Sequence, residues 1–247
     1  MIIQENYPAR MSHGVLIGEM HSWTDWKLIP KQKLVVAPPP VRESSLVVPG
    51  RHGDIKTTKA LTGDVVYDNR KGSWEFRVRN KRHFRLLYSE ILDYLQGQEL
   101  TAVLDDDDYF YYKGTFAIDE WTPENMRDTV KINYDLQPFK MERDSSLEDW
   151  FWDPFDFECG IAREYHDLIV DGSRALLIPG RRLPVCPSIF ATFSGGDSLS
   201  VTYGGTTYPL VSGMWNIFDG IVIGEGDHTL TFTGNGTVSV DYRGGRL

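Results

Sequence analysis

The sequence is poor in the residues that bind soft metal ions or form networks of disulfides. Its 247 residues include two cysteines, Cys159 and Cys186, and no paired-cysteine motif. A zinc site of the common kind needs more Cys or His ligands at close spacing than this, so we predict no metal site and no cofactor. A disulfide between the two cysteines is one alternative. We favour the other, in which both are buried thiols of a protein made in a reducing cytoplasm.

Long apolar runs and a basic surface are also missing. No segment approaches the roughly 20 apolar residues that a membrane-spanning helix needs, and residues 1–6 lack the charged start and apolar core of a signal peptide. The net charge is −9 and the pI is near 5.2, whereas a nucleic-acid-binding protein usually presents a basic face. We therefore expect no membrane segment, no signal peptide and no specific nucleic-acid binding.

The common catalytic motifs are absent as well. There is no Gly-x-Ser-x-Gly elbow, no phosphate-binding loop ending in Gly-Lys-Ser/Thr and no His-Glu-x-x-His, and the six histidines are scattered. The acidic run of residues 105–108 lacks the spacing of an EF-hand, so we predict a solvated acidic hairpin turn. No spacing identifies a pair of glycosidase carboxylates. We predict that the chain is not an enzyme, and a cell-wall hydrolase is the weakest of three functional alternatives.

Aromatic residues, by contrast, are abundant: seven Trp, twelve Tyr and twelve Phe make up 13% of the chain. Such residues favour β-strands and interfaces. Residues 73–79 alternate apolar and polar side chains, which predicts a strand with one buried face. Two further strands are predicted over residues 109–120 and 129–136. The dense aromatic segment 149–157 has no simple periodicity, and we interpret it as an irregular lead-in strand.

One helix is predicted between the first and second of these strands. Apolar residues recur at helical spacing from Phe84 to Leu95, which gives the helix a single apolar stripe that suits packing on a sheet. Asn80 is the predicted N-cap, and Gly97 is the predicted C-terminal stop.

The composition changes along the chain. Every lysine lies at or before Lys140, whereas about half of the 23 glycines lie after Pro187. We therefore predict two domains, residues 1–140 and residues 141–247. The second domain contains two strong hairpin signals, Gly204-Gly205 and the Gly-Asn-Gly of residues 234–236, and its short strands suggest a β-sandwich.

Several short segments, in order along the chain, resemble the family of siphophage distal tail proteins. Residues 48–54 (Val-Pro-Gly-Arg-His-Gly-Asp) resemble the family signature Val-Pro-Gly-Arg-x-Gly-x, with His52 where relatives often carry an acidic residue. Each motif alone is weak, and the resemblance depends on their ordered succession over nearly the whole chain. The other matching segments are residues 23–28, 38–40, 67–70, the helix that ends at Gly97, Asp108, and residues 111–114, 138–140, 149–155 and 242–247.

The resemblance implies a mainly β fold, with an N-terminal tail-tube-like β domain that contains one helix and a C-terminal galectin-like β-sandwich. It implies a homo-oligomer, a hexameric ring at the end of the tail tube. This ring would join the tail tube protein to tail-tip or receptor-binding proteins in the virion of a phage or prophage, after assembly in the cytoplasm of the host bacterium. DNA would pass through the ring without binding, which the negative net charge favours.

Residues 48–54 also have a physical interpretation. Pro49 fixes its φ angle and Gly50 permits a positive one, so the pair predicts a sharp, rigid turn, and Gly53 provides a second tight point. Arg51 and Asp54 would then project as charges that pair across a subunit boundary. Arg70, in the matching segment 67–70, is a third candidate subunit contact. A turn that satisfies its charges within one subunit stays the alternative.

The main alternative function is a carbohydrate-binding module that recognises glycans on the host cell surface. Sugar sites usually stack an aromatic ring on the sugar and hydrogen-bond its hydroxyls. In the second domain Tyr203, Tyr208 and Trp215 are the residues that could form a weak sugar platform. For each of them, a place in the core or on a strand face is the simpler interpretation.

Overall fold

The computed structural model describes residues 14–60, 63–78, 84–119, 128–147 and 163–247. The chain divides into two units, Met1–Lys140 together with Leu247, and Met141–Arg246. Each unit has a hydrophobic core of its own. The elements are strands with a single helix among the described residues, so the prediction of a mainly β fold is confirmed. Three predicted features, Asn80, the aromatic segment 149–157 and Cys159, lie outside the described residues.

Within the described residues, unit 1 contains one helix and the first nine strands. They are β1 (Val15–Ile17), β2 (Met20–His21), β3 (Leu28–Pro30), β4 (Ser45–Leu46), β5 (Ile55–Lys56), β6 (Arg70–Val78), α1 (Phe84–Leu95), β7 (Glu99–Leu104), β8 (Phe110–Ile118) and β9 (Thr129–Leu136).

Seven of these strands form one antiparallel sheet, in the order β2-β1-β7-β8-β9-β6-β3. The remaining two, β4 and β5, pair only with each other. Along β6 buried and non-buried residues alternate from Ser73 to Val78, with Trp74, Phe76 and Val78 buried. The alternation predicted for this strand is therefore confirmed, and β8 and β9 correspond to the other two predicted strands. Each large apolar side chain buried in this way contributes roughly 2 kcal/mol of hydrophobic stabilisation.

Helix α1 packs against β8 through its apolar stripe. Phe84, Ile91 and Leu95 are its buried side chains. The helix ends at Leu95, and Gly97 follows with a φ of +74°, the left-handed conformation that commonly ends a helix. The predicted helix and its C-terminal stop are confirmed.

The remaining strands of the described residues lie in unit 2, apart from Lys140, the first residue of β10, which belongs to unit 1. They are β10 (Lys140–Glu142), β11 (Leu168–Gly180), β12 (Ser188–Thr192), β13 (Leu199–Tyr203), β14 (Thr206–Pro209), β15 (Trp215–Ile217), β16 (Gly226–Asp241) and β17 (Gly245–Arg246). The main sheet has the order β14-β13-β16-β12-β15, and β11 pairs with β16. The hairpin predicted at Gly204-Gly205 is confirmed, because it joins β13 to β14.

A long ribbon of β11 and β16 organises unit 2. The two strands pair along all 13 residues of β11. Both ends of the ribbon bury side chains in the same core, for example Val170 and Ile178 on β11, whereas residues 171–175 between them are exposed. The ribbon therefore curls around the core. On its other edge β16 pairs with β13 near its middle and with β12 near its end.

The hairpin predicted at residues 234–236 is wrong. These residues lie inside the continuous strand β16, where Gly234 pairs with Gly172 of β11. The amide of Gly172 donates a hydrogen bond to Oδ1 of Asn235 at 3.1 Å. A Gly-Asn-Gly sequence tolerates unusual backbone angles, and here that tolerance serves a bend within a paired strand instead of a reversal of the chain.

Cys186 is exposed and carries no disulfide in the described residues. The expectation of a buried thiol is therefore wrong for this cysteine.

A buried ionic cluster lies at the start of unit 2. The carboxylate of Glu142 accepts hydrogen bonds from Nη1 of Arg163, from Nε of Arg181 at 3.0 Å and from the amide of Gly244 at 2.7 Å. The Arg163 guanidinium also lies 5.1 Å from the centre of the Tyr242 ring. Burial by itself raises the pKa of Glu142, but the hydrogen bonds and charge of Arg163, with the bonds from Gly244 and Arg181, outweigh it and hold the pKa below its usual range.

Gly234→Ala tests the bend of β16. Gly234 has a φ of +126°, and a Cβ at this position would collide with the carbonyl oxygen of Ser198. We expect a loss of roughly 3 kcal/mol in unfolding free energy, because backbone strain of about 1–3 kcal/mol and the steric clash add. Gly195→Ala is the control, since Gly195 has open space around it, and it should change the melting temperature little. Equal melting temperatures for the two variants would contradict the role of the bend.

Glu142→Gln tests the ionic cluster. The change leaves Arg163 buried without a counter-charge, so we expect a loss of about 3–5 kcal/mol at neutral pH. Because the folded pKa of Glu142 is lowered, its contribution is complete above the unfolded pKa of about 4.3 and is lost as pH falls through the folded value. Calorimetry of the variant should therefore show a weaker loss of stability on acidification than the parent protein.

The control for this measurement is Glu75→Gln. Glu75 forms an ion pair with Lys31 at 3.2 Å that is open to solvent, and such a pair contributes less than about 1 kcal/mol. If Glu142→Gln lowered the unfolding free energy as little as Glu75→Gln, the buried cluster would not be a major contributor to the stability of unit 2.

Candidate functional site

Residues 48–54 lie on an arm that leaves the sheet of unit 1. We define the arm as residues 41–60 and 63–67. At its base Val41 pairs with Tyr67, and the amide of Asp68 donates to the carbonyl of Pro40 at 2.8 Å. Further along, the arm is the two-stranded ribbon of β4 and β5. The backbone thus ties the arm to itself rather than to the main sheet.

The tip of the arm is the turn that the sequence predicted. The amide of Arg51 donates to the carbonyl of Val48 at 3.1 Å, which closes a four-residue turn with Pro49 and Gly50 at its centre. Gly50 has a φ of +83° and Gly53 has a φ of +75°. Proline followed by a glycine of positive φ is the pattern of a type II turn, so the predicted rigid turn and second tight point are confirmed.

The arm displays both charged and apolar side chains. Arg51 and Asp54 are exposed, and the structure records no side-chain hydrogen bond or ion pair for either within the described part of the chain. Leu46 and Val47 are also exposed, with 71% of Val47 open to solvent. Exposed aliphatic side chains beside free charges are typical of a surface that a partner covers.

Three polar side chains of the sheet hold the segment that leads into the arm. Nε1 of Trp74 donates to the carbonyl of Val35 at 3.1 Å, and the hydroxyl of Tyr134 accepts from the amide of Ala37 at 3.1 Å. Nη1 of Arg70 donates to the carbonyl of Ala37 at 3.1 Å. The sequence patterns did not point to this brace, because it depends on strands β6 and β9 lying side by side.

Arg70 does not project as a subunit contact. It is only 5% exposed, and its Nε also donates to the carbonyl of Pro138 at 2.9 Å. Its guanidinium lies 5.6 Å from the centre of the Tyr112 ring. Burial lowers the pKa of Arg70, while Tyr112 and Tyr134 act in the opposite direction. The side chain therefore braces unit 1 from inside, and the predicted role as a contact is corrected.

Exposed ion pairs add little to the arm. Arg42 donates to Asp68 through both Nε and Nη2, and Lys56 pairs with Glu43 at 3.0 Å. All four side chains are largely open to solvent, where such pairs contribute at most about 1 kcal/mol each. The orientation of the arm therefore depends on the backbone pairing at its base and on the buried side chains of Arg70, Trp74 and Tyr134 more than on these charges.

The acidic run of residues 105–108 forms the turn between β7 and β8, as predicted, but it is not simply solvated. Asp106 pairs with Lys33 at 2.8 Å and Asp107 pairs with Lys140 at 2.6 Å. Asp105 accepts from the amide of Gly14 and contacts Nε2 of His21 at 3.0 Å. These carboxylates serve as local braces.

The pair of His21 and Asp105 has a structural role. Nδ1 of His21 faces the amides of Trp23 and Thr24 at 3.2 and 3.3 Å, while Nε2 faces Asp105. Both ring nitrogens are thus occupied by contacts that shape the β2 turn. Among the described residues, no recorded contact joins either ring nitrogen of His21 to a nucleophilic side chain.

The three side chains of the predicted sugar platform have different surroundings. The Tyr203 hydroxyl contacts the carbonyl of Val222 and Nδ1 of His228, and Tyr203 and Tyr208 both pack against the core of unit 2. The Tyr208 ring lies against Phe218. Trp215 is 48% exposed, and its ring lies 5.3 Å from that of Phe190. The recorded ring contacts do not join the three into one platform.

Among the described residues, no group of three or more His, Cys, Asp or Glu side chains could hold a metal ion. In the same part of the chain, no helix has both the length and the apolar character needed to cross a membrane.

No protein-family model and no curated protein matches the chain. A solved structure does: the Dit protein (gp 19.1) of SPP1, described as a paradigm of the hub adsorption apparatus in phages that infect Gram-positive bacteria. The likeness covers 95% of this chain and 99% of that one, with a TM-score of 0.57 and 10% sequence identity. Identity this low shows the fold alone. The chain therefore has a Dit-like β fold.

Proposed function

We propose that the chain is a non-enzymatic hub protein of a phage tail. The observation that carries the proposal is the likeness in fold to a phage hub protein over nearly the full length of both chains. The ordered segments that resemble the siphophage distal tail family support it independently, because they are a property of the sequence and not of the fold. In this proposal residues 1–140 form the tail-tube-like, ring-forming domain and residues 141–247 form the galectin-like domain.

The proposed hub acts by closing a ring, a hexamer in this proposal. A head-to-tail ring needs two different complementary surfaces on each subunit. The arm supplies one such surface, since it is braced at its base and displays Leu46, Val47, Arg51 and Asp54 to solvent. Burial of its aliphatic side chains would favour association, and the charges would define the register against the neighbouring subunit.

The proposed partners are the tail tube protein on one side and tail-tip or receptor-binding proteins on the other. The protein would be assembled in the host cytoplasm and would act at the tail tip of the virion. Phage DNA would cross the ring during ejection, and the net charge of −9 supports passage without binding to phosphate groups. A ring lined mainly by lysine and arginine would contradict this part of the proposal.

The carbohydrate-binding alternative has weaker support. A sugar platform needs exposed aromatic faces, whereas Tyr203 and Tyr208 pack against the core of unit 2. Trp215 remains exposed, but its ring lies against Phe190 and has no recorded contact with Tyr203 or Tyr208.

Native mass spectrometry of the full chain tests the ring and the role of the arm. We expect a hexamer for the parent protein. Arg51→Ala should raise the protein concentration at which the ring dissociates by about tenfold or more, because arginine is enriched among the dominant residues of interfaces. Val47→Ser should act in the same direction by removing apolar contact area.

Arg174→Ala is the matched control, because Arg174 is an exposed arginine of unit 2 outside the arm. It should leave the mass distribution unchanged. A parent protein that stays monomeric at every concentration would contradict autonomous ring formation. Hexamers that are insensitive to the arm variants would show that the signature is a turn and not a contact.

A further inference from the structure

A group of exposed apolar side chains lies at one edge of the main sheet of unit 2. We call residues 211–217 the display segment; it comprises the loop before β15 and β15 itself. Val211, Met214, Trp215 and Ile217 are all exposed, with 62% of Ile217 open to solvent. Four large apolar side chains within seven residues are far more than chance exposure of single residues explains.

The display segment is held in place by a buried amide. Asn216 points inward and is 8% exposed. Its Nδ2 lies within hydrogen-bond distance of the carbonyls of Ile189, Val211 and Met214, at 3.0 to 3.2 Å. Its Oδ1 accepts from the amide of Val211 at 2.9 Å. One side chain thus contacts backbone groups of Val211 and Met214 in the loop and of Ile189 on β12.

A second brace and a ring contact complete the support. Oγ of Ser212 accepts from the amide of Phe193 at 3.0 Å and donates to its carbonyl at 3.1 Å. On the outer face, Phe190 pairs directly with Trp215 across β12 and β15, and their rings are in contact. The apolar side chains are therefore presented by a preorganised backbone, which lowers the entropic cost of binding.

The edge of β15 is open within the described residues. β15 is the last strand in the order β14-β13-β16-β12-β15, and it pairs only with β12. An open edge offers backbone amides and carbonyls to an added strand, while alternate side chains provide contact area. Trp215 and Ile217 lie on one face of this edge, which is the arrangement that strand addition uses.

The charge of this region indicates what kind of partner fits. Within residues 183–242, which contain no lysine or arginine, the exposed Asp219 lies two residues after Ile217, and Asp241 pairs with Ser188, the residue of β12 that also pairs with Ile217. Two copies of this surface placed face to face would bring carboxylates together, which costs free energy. A partner with basic residues around an apolar centre would instead be attracted.

We propose that the display segment is a docking edge for a different protein, whose extended strand carries apolar residues flanked by lysine and arginine. This strand adds to β15, covers Trp215 and Ile217, and pairs its basic side chains with the acidic surroundings. The inference deepens the proposed hub function, on which it rests, by naming the chemistry of a tail-tip partner. Docking at β15 does not itself require the arm or a closed ring.

Fluorescence anisotropy with two dye-labelled model peptides tests the docking edge on the full chain. One peptide alternates valine or isoleucine with lysine, and the other carries glutamate in place of lysine. We expect the lysine peptide to bind at least about tenfold more tightly than the glutamate peptide. Raising the salt from roughly 0.05 to 0.5 M should weaken this binding, because the Debye length shortens.

Variants locate the binding. Trp215→Ser should weaken the binding of the lysine peptide by about tenfold or more, as expected for a central aromatic anchor. Ile217→Ser is a second variant in case the first fails to fold. Leu177→Ser is the matched control, because Leu177 is 56% exposed in the same unit but lies on β11, outside the display segment. It should leave the affinity unchanged.

Three results would overturn the proposal: no binding of the lysine peptide, equal binding of both peptides, or binding that survives Trp215→Ser and Ile217→Ser. Glucose, galactose and N-acetylglucosamine are tested alongside. If one of these sugars binds in a Trp215-dependent way and the peptides do not, the surface is a sugar site instead. Native mass spectrometry of the same samples reports the ring, so failure of the docking edge and failure of the hub proposal are distinguishable.

Discussion

The guanidinium of Arg70 is the polar group on which the geometry of unit 1 depends. A buried charge needs partners for its donors, and Arg70 donates from Nε to the carbonyl of Pro138 and from Nη1 to the carbonyl of Ala37, while its Nη2 has no hydrogen-bond partner among the described residues. The carbonyl of Ala37 belongs to the segment that leads into the arm. The carbonyl of Pro138 belongs to the segment that follows β9. One side chain therefore joins the start of the arm to the end of unit 1. With Trp74 and Tyr134 on the same segment, it makes the arm a braced projection.

In unit 2 the shape of the long ribbon depends on backbone freedom. The ribbon of β11 and β16 covers the core of unit 2 from two sides, so it has to bend without losing the hydrogen bonds between its two strands. Gly234 supplies the bend and the close approach of β13, and Asn235 caps the neighbouring amide of Gly172. Asn216 has a comparable role at the edge of the sheet, where its buried side-chain amide forms hydrogen bonds with the backbone of an exposed loop. Both devices place polar groups where the backbone leaves regular pairing.

Local patterns predicted the elements well, because strand alternation, helical spacing and turn chemistry act over a few residues. The strand predicted over residues 73–79, which corresponds to β6, helix α1 with its stop at Gly97, and the turn at Pro49 and Gly50 were all predicted from the sequence. The same reasoning failed at residues 234–236, where Gly-Asn-Gly signals a turn locally but pairing with β11 keeps the strand continuous. It also failed for the burial of Cys186, since exposure of a single thiol depends on what packs beside it.

The sequence by itself determined the class of fold, the change in composition near Lys140, the rigid turn of the signature and the absence of recognisable catalytic motifs. Only the tertiary structure decided which of the candidate site residues face outward. Arg51, Asp54 and Arg70 look alike as charged residues in motifs, yet the first two are exposed and the third is buried. Tyr203, Tyr208 and Trp215 look alike as aromatic residues, yet only Trp215 is left largely open. The reason is physical: burial depends on neighbours brought from distant parts of the chain, and no local pattern encodes them.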